Sequence, residues 1–227
     1  ADRIGRASGM ALDDPRRAAG AVLHLLGAHA DDGHVYATLD QLQASGEQLE
    51  VPAESIEAAV ETLSGRALLV REDEAVYAAP LHDAEVEVAA TLTRRSELSI
   101  QKASKQGDLQ IEVDLSDEQV QAVRATFESK LLVVTGGPGT GKTTTVKGIV
   151  QAHRAAGHRL LLCAPTGRAA KRLSEAAGAE ARTIHRTLEW NPAVASFQRD
   201  AETPLEADLV LVDESSMLNL QLAHSLL

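Results

Sequence analysis

Two short runs carry residue types whose spacing does chemistry. In Gly136-Gly137-Pro138-Gly139-Thr140-Gly141-Lys142-Thr143-Thr144, two glycines frame a turn that ends in a lysine and a hydroxyl residue, matching G-x-x-x-x-G-K-[ST]. Glycines let successive backbone N–H groups converge on one point, and a helix opening near Lys142 adds the positive end of its dipole. An anion fits such a concavity. Lys142 then reaches the β- and γ-phosphates of a nucleoside triphosphate as a point charge, and the Thr143 hydroxyl coordinates the Mg2+ that travels with it. Further on, the apolar run Asp208-Leu209-Val210-Leu211-Val212 ends in Asp213-Glu214. Asp213 is suited to hold magnesium through its water shell, and Glu214 to orient or deprotonate an attacking water. Each run alone has an ordinary structural explanation, a ligand-free turn or a charged strand end. Together they supply two parts of one mechanism.

The elements around them must place both at one edge of a sheet. Leu131–Val134 reads as a buried parallel strand entering the loop, and a helix runs from Lys142 to about Ala156, stopped by Gly157. Arg159–Ala164 reads as a second buried strand and Thr166–Ala177 as a helix ended by Gly178. Thr183 is placed to cap a short helix that stops before Asn191-Pro192, and 208–212 is a third strand leading to a leucine-rich helix. Strands alternating with helices predict a parallel sheet with right-handed crossovers, whose ligands bind at the strands' carboxyl ends. Ahead of the loop, Ser116-Asp117-Glu118-Gln119 is a capping box, and Val120, Val123 and Phe127 form the buried stripe of its helix.

The first part of the chain is different. Residues 1–15 read as a polar tail or an incomplete piece of something upstream. Helices follow from Arg16 to about Ala30, from Leu39 to Ser45 behind the capping box Thr38–Gln41, and from Pro52 to Gly65; then Ala67–Arg71 and Ala75–Ala79 form a hairpin. Three helices and a hairpin resemble a winged-helix module over 16–80. Its third helix carries Glu54, Glu57 and Glu61 and its hairpin tip is acidic, which opposes phosphate binding and favours a structural or protein-contact role. Residues 81–112 read as a helix, Glu85–Leu98, and a polar connector, Ser99–Gln110; the domain after it occupies 113–227.

Net charge is −11, distributed as −12 over 1–130, +6 over 131–190 and −5 over 191–227. Positive charge gathers around and after the phosphate loop, where a polyanion is tolerated. No apolar run approaches the ~20 residues of a membrane span, and the expectation is a cytoplasmic protein with no membrane partner. The single cysteine, Cys163, lies in an apolar run and reads as a buried structural thiol.

Four segments carry a resemblance. The loop 136–144, Ala164-Pro165-Thr166-Gly167-Arg168-Ala169-Ala170, Thr183-Ile184-His185-Arg186-Thr187-Leu188 and Val212-Asp213-Glu214-Ser215-Ser216-Met217 resemble, in order and spacing, the first half of a superfamily 1 DNA helicase. Within it they resemble the RecD-like branch, which moves 5′ to 3′ on single-stranded DNA. The resemblance implies an α/β fold: a RecA-like P-loop domain with an incomplete parallel sheet, preceded by the smaller, mainly helical, winged-helix-like domain. It also implies ATP and Mg2+ as cofactors, with Lys142 and Glu214 catalytic and Thr143 and Asp213 on the metal. Gln119 would read the adenine edge, against or alongside its capping role. Pro165, Thr166 and Arg168 would track the DNA backbone, where an ordinary helix cap is the other explanation, and Thr183 and His185 would face DNA, where packing is the alternative for the histidine. Only five aromatic residues occur, and Trp190, the one large candidate near these segments for stacking on a base, is expected to pack within the short helix. The family's second RecA-like domain, with the arginines that sense the γ-phosphate, is not in this sequence. The chain by itself is expected to bind nucleotide without unwinding DNA, the rest lying elsewhere in a longer polypeptide or on another chain. A nucleotide-dependent switch or clamp acting on protein partners is the competing function.

Overall fold

The computed structural model describes residues 11, 14–98, 111–137 and 139–227. The expected connector, Ser99–Gln110, and Pro138 of the loop lie outside the described residues, as does most of the tail. The chain divides into two compact units between Glu87 and Val88.

The first unit opens with α1 (Pro15–Asp31), whose first turn is capped by Asp14 accepting from the Arg16 N–H and whose Pro15 needs no N–H there. Strand β1 (Tyr36–Thr38) leads into α2 (Leu39–Gln48), where Thr38 and Gln41 form a reciprocal capping box. Helix α3 (Ala53–Ser64) has Pro52 at its N-cap, one place earlier than the sequence suggests. Strands β2 (Leu69–Glu72) and β3 (Ala75–Ala78) form the hairpin, and β1 pairs antiparallel with β3 to give the order β1-β3-β2. The periodic positions of the helices become the core, with one residue of β3: Val22, Leu42, Ile56 and Val60, and Val76 of the strand, are fully buried. Each removes enough apolar surface from water to contribute about 1.5–3 kcal/mol. Arg17, 6% exposed, donates to the carbonyls of Leu49 and Glu50 at 2.5 and 2.8 Å, satisfying acceptors just past the end of α2. Helix α4 (Ala79–Glu97) starts well before the expected Glu85 and carries the chain across the division.

In the second unit, α5 (Asp117–Ala125) begins at the Ser116–Gln119 capping box. Helix α6 (Lys142–Ala155), β4 (Leu160–Ala164), α7 (Gly167–Ala177), β5 (Ala181–Thr183) and α8 (Ile184–Thr187) follow. A short hairpin, β6 (Trp190–Asn191) with β7 (Ser196–Phe197), then precedes β8 (Leu209–Val212), a 3-10 turn and α9 (Leu220–Leu226). The sheet is parallel, ordered β5-β4-β8. Alternation along β4 splits its cover: Leu160 and Leu162 meet Val146 and Val150 of α6 and Leu173 of α7, while Cys163 meets Ile184, Leu188 and Leu222. Gly157, at φ 77°, reverses the chain between α6 and β4, so α6 runs against the strands and its N-terminus lies at the end where they finish.

One expected strand is absent. Leu131–Val134 pairs with no strand, and Leu132, Val133 and Val134 are 37%, 72% and 42% exposed. Apolar composition supplies the wish to be buried; a ladder partner supplies the strand, and here the sheet ends at β8 without taking this run. The stripe of α5 is also shorter than expected, because the helix ends before Phe127.

Phe127 instead stacks on His153 with ring centroids 3.9 Å apart. Burial, and then neighbouring His158, pull the His153 pKa down to about 4. The hydrogen bonds define its state: Thr126 Oγ1 spends its proton on the Val123 carbonyl, so His153 Nε2–H donates to Thr126 (2.8 Å) and His153 Nδ1 accepts from His158 (2.9 Å). A neutral imidazole is built into the packing. Its unfolded counterpart takes a proton near pH 6.5 and the folded one only near 4, so stability is full above about 6.5 and declines as pH falls through that window, by up to about 3 kcal/mol. Thermal unfolding followed from pH 7 to 4 should show this slope, and His153→Phe should remove it.

Candidate functional site

The phosphate loop owes its shape to three glycines. Gly141, the N-cap of α6, sits at φ 81°, ψ 22°, in the left-handed region closed to most side chains. At Gly136 a Cβ would press on the Thr140 hydroxyl at 2.5 Å. Thr140 Oγ1 donates to the Gly137 carbonyl (2.9 Å), tightening the turn. Gly139, also left-handed at φ 77°, completes it. Lys142 Nζ donates to the Gly136 and Gly137 carbonyls at 2.6 and 2.8 Å, so the ammonium lies across the loop where phosphate oxygens would replace those carbonyls. Thr143 is exposed and Thr144 partly so, both in the first turn of α6.

Gln119 reaches this loop from α5. Its Oε1 accepts from the Ser116 N–H (3.0 Å), and its Nε2 donates to the Gly141 carbonyl (3.2 Å). Both ends of the amide are committed to the protein.

At the carboxyl ends of the strands the remaining candidates gather. Ala164 of β4 and Thr183 of β5 are register partners, and the Asp213 N–H donates to the Cys163 carbonyl at 3.0 Å as β8 ends. Pro165, Thr166 and Arg168 leave β4 there, Thr183 and His185 leave β5, and Asp213 and Glu214 leave β8. Asp213 Oδ1 accepts from the Glu214 N–H (2.9 Å), and Glu214 is held at φ 53°, ψ 40°. A non-glycine residue in that region costs of order 1–3 kcal/mol, strain that concentrates at functional positions. Glu214 is exposed and ends the strand facing solvent.

The two threonines cap helices. Thr166 Oγ1 accepts from the Ala169 N–H (3.2 Å) and Thr183 Oγ1 from the Arg186 N–H (3.3 Å). A cap uses an acceptor lone pair and leaves the hydroxyl proton to donate, so capping and phosphate contact are compatible. Arg168 is exposed. His185 is exposed too, its ring 5.7 Å from Phe197 and 6.2 Å from Trp190. Trp190 does not pack within the short helix, as the sequence suggests; it lies on β6, 41% exposed, edge-on to Phe197 at 4.8 Å. The β6–β7 hairpin escapes a sequence reading because its turn has Ala195 at φ 49° in place of glycine. The available signal is Asn191-Pro192, whose asparagine Oδ1 accepts from the Ala193 N–H (3.0 Å) in an Asx turn.

Cys163 is fully buried, and burial pushes its thiol up to about 12, so it supplies neither a nucleophile nor a ligand at neutral pH. Among the described residues, no group of three or more His, Cys, Asp or Glu is placed to hold a metal by itself.

A glycine-pivoted loop opening a helix, a lysine laid across it, and an acidic pair at the end of a parallel strand define a P-loop nucleotide-binding domain. Residues 119–227 match the family model of an AAA domain. The whole chain is 33% identical to the ATP-dependent RecD2 DNA helicase of Deinococcus radiodurans, of which it spans 34%. It is 38% identical over 49% of its length to the RecBCD enzyme subunit RecD of Mycolicibacterium smegmatis, covering 24% of that protein. Over 50% of its length it is 37% identical to the ATP-dependent DNA helicase dda of Enterobacteria phage T4, covering 28%. The chain is thus similar to helicases of the RecD-like branch of superfamily 1, and it spans about a quarter to a third of these relatives.

The loop geometry leads to a direct expectation. Gly141→Ala adds a Cβ at a left-handed φ and drives it into the Gln119 amide. It should destabilise the domain by about 1 kcal/mol or more, read as a lowered Tm, and weaken triphosphate binding measured by calorimetry.

Proposed function

We propose that this chain is the nucleotide-binding first motor domain of an ATP-driven DNA helicase, coupling ATP binding and hydrolysis to 5′-to-3′ movement on single-stranded DNA. The observation that carries this reading is the loop itself: Lys142 is drawn onto loop carbonyls beneath a left-handed Gly141, a cradle shaped for a triphosphate. The direction of movement rests on resemblance to the RecD-like branch, and the DNA substrate on the relatives named as DNA helicases.

In this reading the α6 N-terminus and the loop N–H groups bind and orient the phosphates, and Lys142 holds the β- and γ-oxygens. Thr143 and Asp213 would hold Mg2+, which when bound neutralises phosphate charge. Glu214, turned outward at the end of β8, accepts the proton of the attacking water. Pro165, Thr166, Arg168, Thr183 and His185 form the strip at the sheet's carboxyl ends that tracks the DNA backbone, where hydroxyl and guanidinium donors position phosphates without reading bases. The hydrolytic machinery is completed by a second RecA-like domain, supported by the greater length of the relatives. This chain alone therefore binds nucleotide and does not unwind DNA. Residues 16–80 act as a winged-helix-like module that makes structural or protein contacts: Glu54, Glu57 and Glu61 are exposed along α3, and Glu61 pairs with Arg71 at 2.7 Å.

Lys142→Ala should weaken Mg-ATP binding about 10- to 100-fold by calorimetry. In the full-length protein Glu214→Gln should keep nucleotide affinity and lower hydrolysis by about two to four orders of magnitude. Hydrolysis by the full-length protein should rise strongly with single-stranded DNA; a DNA-independent rate would support a nucleotide-driven clamp instead.

A further inference from the structure

A small cavity of the first unit lies outside everything assigned above. It encloses about 190 Å3 and is lined by His29, His34, Val35, Tyr36, Thr38 and Gln41. Its ring-bearing side is held by local structure. His29 sits in the last turn of α1, and its carbonyl accepts from the His34 N–H (2.9 Å) across Gly33, left-handed at φ 90°. The two imidazoles come to 5.6 Å between centroids, tilted by 56°. Tyr36 stands on β1, 46% exposed, opposite its register partner Tyr77 of β3, and the two rings lie 5.3 Å apart. Tyr77 is buried and meets His82 edge-on at 5.3 Å, so Tyr36 is braced from behind by packed rings.

The polar side of the cavity is the start of α2, and there the donors are already spent. The Thr38 N–H goes to Gln41 Oε1 (2.9 Å), the Gln41 N–H to Thr38 Oγ1 (3.2 Å) and the Leu39 N–H to the Glu74 carbonyl (3.0 Å). A helix start invites an anion through such groups; here they are occupied, and Asp40 in the first turn offsets the dipole. What remains is acceptor capacity, a lone pair each on Thr38 Oγ1 and Gln41 Oε1. The surrounding charge has the same sense. Asp31 and Asp32, between the two histidines in sequence, and Asp40, between Thr38 and Gln41, are all exposed. From Ala18 to Gly65 the chain has eight Asp and Glu and no Lys or Arg. A phosphate strand is repelled by such a surface and a cation is drawn to it.

We propose that this cavity is a docking site for an arginine side chain of a basic protein segment, its guanidinium laid against Tyr36 and the paired imidazoles and donating to Thr38 Oγ1 and Gln41 Oε1. A space of about 190 Å3 takes the end of one long side chain. A guanidinium suits it better than an ammonium, because it is planar, more weakly hydrated, and stacks on ring faces while its edge donates. The inference rests on residues 16–80 being a protein-contact module, and it names the partner's chemistry.

Fluorescence anisotropy with the whole chain tests this, using labelled hexaarginine and hexalysine, with a labelled oligothymidylate as the nucleic-acid probe. Wild type should bind hexaarginine more tightly than hexalysine. Tyr36→Leu keeps an apolar strand residue and removes the ring; it should weaken hexaarginine about two- to fivefold and leave hexalysine nearly unchanged. Where Tyr36→Leu does not fold, His34→Ala, at an exposed position between α1 and β1, reads the same outcomes. Glu54→Gln combined with Glu57→Gln removes two charges outside the cavity and should weaken both peptides alike, keeping the preference for arginine. Equal wild-type affinity for the two peptides, or an equal loss of both in Tyr36→Leu, would overturn the inference: the acidic surface would then gather cations without a site, and the protein-contact reading would stand. No binding of hexaarginine by wild type would overturn it too. Weaker oligothymidylate binding in Tyr36→Leu would make the cavity a nucleic-acid subsite, and the protein-contact reading would fall with the inference.

Discussion

Everything at the candidate site depends on one backbone conformation, the left-handed Gly141 that opens α6. It turns the chain so that a helix begins at once behind a loop of converging N–H groups, and the lysine next in sequence is left free to fold back across them. The orphan N–H groups of a helix start usually go to a capping side chain or water. At α6 no side chain caps them, whereas α2, α5, α7 and α8 are each capped by Thr or Ser. Helix α3, behind Pro52, also lacks a side-chain cap; at α6 the open donors lie directly behind the glycine loop. The packing of Val146, Val150 and Ile149 against the sheet then holds that start at the end where β4, β5 and β8 finish.

How much was legible in the sequence follows from how local each signal is. The capping boxes at Thr38–Gln41 and Ser116–Gln119 and the helix start at Lys142 are written within a few residues, and the structure forms them as read. Strands β4 and β8 were readable because an apolar run is bounded by a turn before it and a polar pair or helix cap after it. Leu131–Val134 has the same composition and no pairing in the sheet, because a strand is a relation between two segments and composition describes one. Strands β1, β5, β6 and β7 were missed for the opposite reason: with two or three residues each, they carry no period to detect.

Other features were invisible to a one-dimensional reading. Nothing in the sequence says that Gln119 would reach Gly141, which lies 22 positions away and on another element. The strain at Glu214 was equally hidden, since glutamate is no turn former and its left-handed backbone comes from the Asp213 carboxylate holding the Glu214 N–H. In both cases the sequence names a residue of the right chemistry, and only the three-dimensional arrangement shows what it touches.

The burial of Cys163 has a practical side. It is the sole cysteine in the chain, fully enclosed between β4 and the helices above it, with its thiol held almost wholly protonated at working pH. Maleimide and disulfide reagents will pass it by. A cysteine engineered onto the β6–β7 hairpin would be the one reactive sulfur in the molecule, so a fluorophore or spin label could be seated there without first stripping the native thiol.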